Sequence, residues 1–323
     1  MGKAKKPYVI GLDLGGTNSV FGIVDEKGNI VDSTAIKTRE QGDIQTYVEN
    51  CCAALQPLIE KAGGIDNIQA MGIGAPNGNF YTGTIEFAPN LPWGGQIPLA
   101  KMFKDKLGIP VVLTNDANAA AIGEMTYGVA KGMKNFIMIT LGTGVGSGIV
   151  INGQLVYGSD GFAGELGHVI MVKDAKGREC GCGRKGCLET YCSATGVART
   201  AKEVITSSDV PTSLRNIPTE NITSRDVAIA AEGGDKVAQG IFEFTGRMLG
   251  EACANFAAFS SPEAFIFFGG LTKAGDLLMT PIRKAYDENV LCIYKGKAKM
   301  LVSQLDDAKA AVLGASALGW EIE

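Results

Sequence analysis

The sequence predicts an α/β protein made of two copies of one plan, set as two lobes around a cleft, and three observations carry that prediction. An apolar strand running into a glycine-rich turn occurs at Tyr8–Leu14, ahead of Gly15 and Gly16, and again at Phe136–Leu141, ahead of Gly142, Thr143 and Gly144. Each is followed by a strand meander, a helical stretch and a further strand that ends at glycine, Ile68–Ala75 before Gly78 and Ala264–Phe268 before Gly269 and Gly270. A repeat of this kind outranks any single motif as a sign of architecture. The third observation is length: 323 residues suffice for two domains, each with its own core. The expected division is residues 1–118, completed by a C-terminal helix over 308–323, and residues 119–307.

In chain order, Tyr8–Leu14 breaks at Gly15-Gly16, residues 19–24 read as a second strand, and the turn at 25–29 sends back a third, Ile30–Lys37. Residues 44–62 carry apolar side chains at helical spacing, with Pro57 expected to kink the helix. Ile68–Ala75 is a strand that ends at Pro76-Asn77-Gly78, and a turn-rich segment follows through Asn90 and Trp93. Leu99–Leu107 reads as a helix. Residues 111–114 form a strand that delivers Asn115 and Asp116 to a helix over 117–127. In the second copy, the glycine turn is read as extending from Gly142 to Gly148, a strand as covering 149–151, the turn as Asn152-Gly153 and the next strand as 155–157. Residues 206–224 are polar and poorly periodic. A long helix is expected over 235–259 and another over 308–320.

Chemistry concentrates at Glu165-Leu-Gly-His168 and Cys180-Gly-Cys-Gly-Arg-Lys-Gly-Cys187-Leu-Glu189, which contain the only histidine and three closely spaced cysteines. Three thiolates and one imidazole make a closed tetrahedral set for structural Zn²⁺, and the glycines around Cys182 let the backbone turn so that the sulfurs face one ion. With one ring nitrogen of His168 on a metal, the other is oriented and can meet a substrate hydroxyl. Glu165 and Glu189 beside it are acceptors for hydroxyl groups, so the loop reads as one wall of a sugar pocket. Reduced thiols with a loop histidine is the alternative that the spacing leaves open. Two glycine turns from two lobes can offer backbone N–H groups to a polyphosphate, with Asp13 as a carboxylate for Mg²⁺ and Thr17 as a donor. Tight hairpin turns are the plainer reading of the same glycines. Neither turn fits the P-loop or the dinucleotide-binding pattern.

Composition narrows the classes. The chain is 46% apolar and 20% charged, with a formal net charge of -4, and has no Lys/Arg block beyond Lys3, Lys5 and Lys6. Neither nucleic acid nor an anionic membrane is an expected partner. The first residues read as a short polar tail without an apolar export segment. Lys6 stands where a myristoylation signal requires Ser or Thr. Eight cysteines fit a reducing cytoplasm better than a disulfide scaffold.

Asp13-Leu-Gly-Gly-Thr-Asn18, Leu141-Gly-Thr-Gly-Val-Gly-Ser-Gly148, Glu165-Leu-Gly-His168, the cysteine loop through Glu189, and Phe268-Gly-Gly-Leu-Thr-Lys-Ala-Gly275 together resemble the ROK family of repressors and sugar kinases, in that family's order and over essentially the whole chain. The resemblance implies the duplicated actin-like ATPase fold, ribonuclease H-like and hexokinase-type, with ATP in the interdomain cleft and a hexose beside it. It implies phosphate contacts from Gly15, Gly16, Thr17, Gly142, Thr143 and Gly144, adenosine against Gly269 and Gly270, and sugar contacts from Asn90, Asn115, Glu165, His168 and Glu189. Asp116 would be the catalytic base, and zinc would take His168, Cys180, Cys182 and Cys187. Where the family reads Gly-x-Pro-Gly this chain has Gly74-Ala-Pro-Asn77-Gly78, so a backbone contact to sugar there is expected to shift to Gly78. From position alone, a helix cap at Asn115 or Asp116 is a commoner explanation than a catalytic group. The implied reaction is ATP-dependent phosphorylation of a 6-hydroxyl, glucose first, with N-acetylglucosamine, N-acetylmannosamine, mannose or fructose as alternatives. A sugar-responsive repressor needs an added DNA-binding module, for which the sequence before Tyr8 leaves no room. An actin-like or chaperone-like ATPase has no use for the histidine and cysteine features. The resemblance also implies a homo-oligomer, a dimer or tetramer.

Overall fold

In the computed structural model, residues 5–305 and 307–322 are described; the expected polar tail at residues 1–4 and the final residue of the expected C-terminal helix, 323, lie outside the described residues. The first half runs β1 (Tyr8–Leu14), β2 (Asn18–Asp25), β3 (Ile30–Lys37), α1 (Ile44–Lys61) and β4 (Ile68–Ala75). Three short strands follow, β5 (Gly78–Asn79), β6 (Thr84–Glu86) and β7 (Gln96–Ile97), then α2 (Leu99–Leu107), β8 (Val111–Asn115) and α3 (Asp116–Tyr127). The second half runs β9 (Phe136–Leu141), β10 (Val145–Ile151), β11 (Gln154–Leu155), α4 (Glu189–Cys192), α5 (Ala194–Ser207), α6 (Ser224–Glu232) and α7 (Lys236–Ser260). It ends with β12 (Ala264–Phe268), α8 (Asp276–Asn289), β13 (Lys299–Val302) and α9 (Asp307–Trp320).

The duplication is visible in the sheets. One has the order β3-β2-β1-β4-β8, the other β11-β10-β9-β12-β13. In both, the central strand pairs antiparallel with its successor on one side and parallel with a later strand on the other. The third and fifth strands extend the two sides in matching senses. The central strands carry near-continuous apolar runs because both of their faces are covered: Val9, Ile10, Leu12 and Leu14 are buried in β1, and Phe136 through Ile139 in β9. The edge strand β3 alternates between partly buried and exposed positions, as a strand with one wet face does.

Each half donates its last helix to the other. α3 leaves the first sheet and packs on β10 and β9, whereas α9 leaves the second sheet and packs on β1 and β4. The two helices also cross each other, and small residues set how closely. A Cβ added at Gly314 would lie 2.6 Å from the carbonyl oxygen of Ala119, and one at Gly123 would lie 2.8 Å from Cα of Gly314. Val312, Ala315, Ala317 and Leu318 bury α9 around most of its circumference, as befits a helix between two lobes.

Several expectations need correction. β10 begins at Val145 rather than 149, so Gly146 and Gly148 lie within a strand and not in the turn. Their role is packing: a Cβ at Gly148 would lie 2.7 Å from Cβ of Ala121, and one at Gly146 would lie 2.9 Å from Cβ of Ala117, so α3 could not lie so close over a bulkier strand. The strand after Asn152-Gly153 covers Gln154–Leu155 and does not reach 157. α1 is the expected helix with Pro57 inside it, opened by Asp43, whose carboxylate accepts the Thr46 N–H at 2.8 Å. α5, α6, α8 and β13 were not anticipated. α5 had a signal in Val197, Ala201 and Ile205, buried one turn apart, and α6 opens on a Thr223/Asp226 capping box.

Candidate active site

The site assembles around the start of α3. Asn115, the last residue of β8, caps the helix by accepting the Ala117 N–H at 2.8 Å, and Asp116 Oδ1 accepts the same N–H at 2.8 Å. The capping role is therefore real and is carried by both residues. Asp116 is reached by solvent from the cleft yet crowded by protein on its other sides, and this burial raises its carboxyl above the usual range despite the helix N–H. Asp13, at the end of β1, is pushed up to about 7, first by burial and then by the charge of Asp116. Glu165 is raised by burial, with His168 pulling it down and Asp116 and Glu189 pushing it up. Residues from four separate segments thus share one electrostatic neighbourhood.

Glu189 opens α4 and links the cysteine loop to the second glycine turn. Its Oε2 accepts the Val145 N–H at 3.1 Å, and its Oε1 accepts from Cys180 Sγ at 3.4 Å. A side chain at Gly144 would overlap Glu189 Oε2, so glycine here gives the carboxylate its room. The turn is held from behind by α5, whose Ala194 N–H donates to the Gly142 carbonyl at 2.8 Å while the Thr195 hydroxyl donates to the Thr143 carbonyl at 2.7 Å.

The ligating atoms of His168, Cys180, Cys182 and Cys187 all lie within 4.8 Å of one another. Cys182 and Cys187 sulfurs are 3.7 Å apart, and Cys180 Sγ lies 3.7 Å from His168 Nδ1. A tetrahedral ion with bonds of about 2.3 Å to sulfur and about 2.0 Å to nitrogen has edges of about 3.5–3.8 Å, so this donor set fits zinc. The other ring nitrogen of His168, Nε2, faces Glu165 Oε2 at 3.9 Å. The loop is anchored by Arg178, only 7% exposed, which donates to the Thr190 carbonyl at 2.7 Å and the Thr200 hydroxyl at 2.9 Å and pairs with Glu203 at 2.5 Å. Sequence reasoning gave no role to Arg178, and nothing in its spacing marks one.

Two cavities meet at the second turn. One of ≈ 710 Å³ is lined by Gly142, Thr143, Gly270 and Lys273, with Ala228, Ile229, Phe242 and Leu271 as its apolar wall. The other, of ≈ 550 Å³, spans the lobes from Asn90 to Thr143, Gly144, Cys180, Glu189 and Arg199. Gly269 sits behind the first cavity with φ of 107°, a conformation that glycine alone adopts readily, and a Cβ there would lie 2.7 Å from the Leu141 carbonyl oxygen. The first turn lies on the opposite lobe, where Thr38 Oγ1 donates to the Gly15 carbonyl at 2.8 Å and the Thr17 carbonyl accepts the Thr38 N–H at 2.8 Å. Gly16 touches the Asn90 loop, and a Cβ at Gly16 would lie 2.8 Å from the Asn90 carbonyl oxygen.

Asn77 has φ of 49°, so it occupies the left-handed position for which glycine is the usual choice and asparagine the usual substitute. Asn77 thus adopts the backbone that the family's glycine would supply. Gly78 is buried against β8, and a side chain there would overlap the Thr114 carbonyl.

The sequence matches the ROK family over residues 9–321. A glucokinase of Streptomyces coelicolor is 38% identical over 318 residues, covering 97% of each chain. A putative xylose repressor of a Caldicellulosiruptor species is 29% identical over 96% of this chain and 77% of the repressor. Among solved structures, a ROK family glucokinase from Streptomyces griseus in complex with glucose and AMPPNP superposes with a TM-score of 0.79 at 36% identity, covering 96% of this chain and 98% of that one. The paired sheets, the glycine turns and the cysteine loop thus stand in a chain that belongs to the ROK family.

Proposed function

We propose that this protein is an ATP-dependent hexose kinase that phosphorylates the 6-hydroxyl of glucose, with Asp116 as general base. The observation that carries the reading is the convergence of Asp116, Glu165, His168 and Glu189 on one side of the second glycine turn, with a cavity of nucleotide size on the other. The S. coelicolor relative is a glucokinase, and the S. griseus structure holds glucose with an ATP analogue. On this reading adenosine lies against Gly270 and the apolar wall, and the two glycine turns offer N–H groups to the phosphates. Asp13 would hold the Mg²⁺ that ATP brings, to offset charge on the phosphates.

Glu165, Glu189, Asn90, Asn115 and the free nitrogen of His168 orient the sugar hydroxyls. Asp116 accepts the 6-hydroxyl proton as the O6–Pγ bond forms and the bond from Pγ to the ADP oxygen breaks. A loose transition state releases that proton late, so a carboxylate of moderately raised basicity suffices. The His168, Cys180, Cys182 and Cys187 set would hold a structural zinc, whose contribution is to fix the loop that carries Glu189. The lobe division at about residue 118, a dimer or tetramer in solution, and a cytoplasmic location complete the proposal. All eight cysteines are free, and no helix among the described residues is long and apolar enough to cross a membrane.

The test is coupled ADP release across glucose, mannose, fructose, N-acetylglucosamine and N-acetylmannosamine. Glucose is expected to give the highest kcat/KM. Glucose binding without any sugar-stimulated ADP release would instead fit a sugar-sensing regulator and defeat the kinase reading.

A further inference from the structure

The Asn90 loop is clamped at three points. At one end, the Asn77 side chain donates to the Glu86 carbonyl at 2.9 Å and to the Phe87 carbonyl at 3.4 Å. Phe87 itself has φ of 51°, an unusual backbone for a bulky side chain, so this end is held in a specific shape. At the other end, Trp93 Nε1 donates to the Gly42 carbonyl at 2.9 Å, and its ring lies 4.6 Å from that of Tyr47. Between them stands Arg39, whose Nε donates to the Gly16 carbonyl at 3.0 Å and whose Nη2 donates to the Asn90 carbonyl at 3.3 Å. Of these clamps, Arg39 is the one that also grips the first glycine turn.

We propose that Arg39 is a positioning residue that couples the sugar loop to the first phosphate turn, so that ordering either by its ligand pre-orders the other. The inference rests on the kinase reading above, which assigns Asn90 to sugar and Gly16 to nucleotide. Arg39 reaches those ligands through two backbone carbonyls. A planar guanidinium presents donors in a fixed fork, so one side chain can hold two carbonyls in a set relation, whereas a lysine is a point donor on a flexible stem. The direct approach of Gly16 to the Asn90 carbonyl leaves little slack between the two segments, so a bridge across them moves them as one. If nucleotide orders the turn, the loop is ordered with it, and by linkage the sugar must aid nucleotide to the same degree.

The experiment measures glucose affinity calorimetrically with and without a saturating non-hydrolysable ATP analogue, for wild type, Arg39→Ala and Arg39→Lys, with thermal unfolding as the check on folding. Wild type is expected to bind glucose about tenfold more tightly when the nucleotide is present, a typical coupling. Arg39→Ala is expected to bring that factor to within about twofold of unity while each binary affinity stays within threefold of wild type. Arg39→Lys is expected to recover only part of the factor. An unchanged factor in Arg39→Ala, full recovery with lysine, or a factor lost only together with both binary affinities would each overturn the coupling role. If wild type binds glucose but Arg39→Ala behaves identically, the kinase reading stands and this inference falls. Wild type that binds neither ligand removes both.

Discussion

Asp116→Asn separates proton transfer from architecture. Asparagine keeps an oxygen for the Ala117 N–H, which Asn115 also serves, so α3 retains its cap. The variant loses the basic oxygen, and general-base catalysis is worth about 10²–10⁴-fold. At about 1.4 kcal/mol per decade that is about 3–5 kcal/mol of barrier. A second effect has the opposite sign. Burial raises the Asp116 carboxyl, so the folded protein holds its proton more tightly than the unfolded chain does. The resulting penalty on folding is absent below the unfolded value of about 3.9. It grows as pH rises above that value and is complete once pH exceeds the folded pKa. Asparagine removes the penalty, so the variant is expected to melt at a higher temperature than wild type at neutral pH, with the difference closing toward acid. A third effect follows at Asp13, held up to about 7 by burial and then by the charge of Asp116. Any limb that Asp13 gives to the pH profile of kcat/KM is expected to move to lower pH in the variant. Coupled ADP release over a pH series reads the first and third effects, and fluorescence-monitored unfolding reads the second. Glucose affinity is expected to stay within a few-fold of wild type. Turnover within tenfold of wild type would remove Asp116 from the mechanism, and a lower melting temperature at neutral pH would refute the desolvation argument.

Two further substitutions test the link between the loop and the turn. Gly144→Ala drives a methyl group into the space of Glu189 Oε2 and is expected to raise the glucose KM about tenfold or more, on the scale of losing one hydrogen bond to a charged group. The nucleotide KM should change less, and an unchanged glucose KM would show that Glu189 does not need its present position. Cys182→Ser removes the exposed sulfur of the four-ligand cluster, and elemental analysis is expected to find zinc falling from about one per chain to well below it, with a higher glucose KM. Full zinc retention with unchanged kinetics would refute the metal-braced loop.

The sequence disclosed whatever is local or repeated. The strands at Tyr8–Leu14 and Phe136–Leu141 were readable because both faces are covered and the apolar run is nearly unbroken. The Cys/His cluster was readable because its three cysteines fall within eight residues, 180–187. Glycine was ambiguous, because one residue type answers different demands. Gly144 makes room for a carboxylate, Gly148 makes room for a helix, and Gly269 supplies a positive φ, yet all three sit in similar glycine-rich runs. Arg39, Thr195 and Arg178 were silent because their partners are set by tertiary structure. Arg39 meets Asn90, 51 positions on, and Thr195 meets Thr143, 52 positions back. No local pattern encodes such pairs. α5, by contrast, is local: Val197, Ala201 and Ile205 recur every four residues and carry a helical signal in the sequence itself.

The exchange of α3 and α9 gives the duplicated fold its mechanical logic. Asp116 belongs by sequence to the first half, at the end of a strand paired to β4, but the helix it begins lies on β9 and β10 of the second half. Asp116, the proposed base, is thus tied to both lobes, with the proposed sugar contacts Glu165 and Glu189 in the second half and Asn90 in the first. α9 makes the reciprocal crossing; the backbones come closest at Gly123, Gly314 and Ala119, and Ile122, Ala317 and Leu318 pack beside them. The small residues let the backbones approach while the larger side chains fill the seam around them, so the two halves share one packed contact. A base carried on one lobe alone would be positioned by that lobe only; the start of α3 is held by the β8 strand before it and by β9 and β10 along its length.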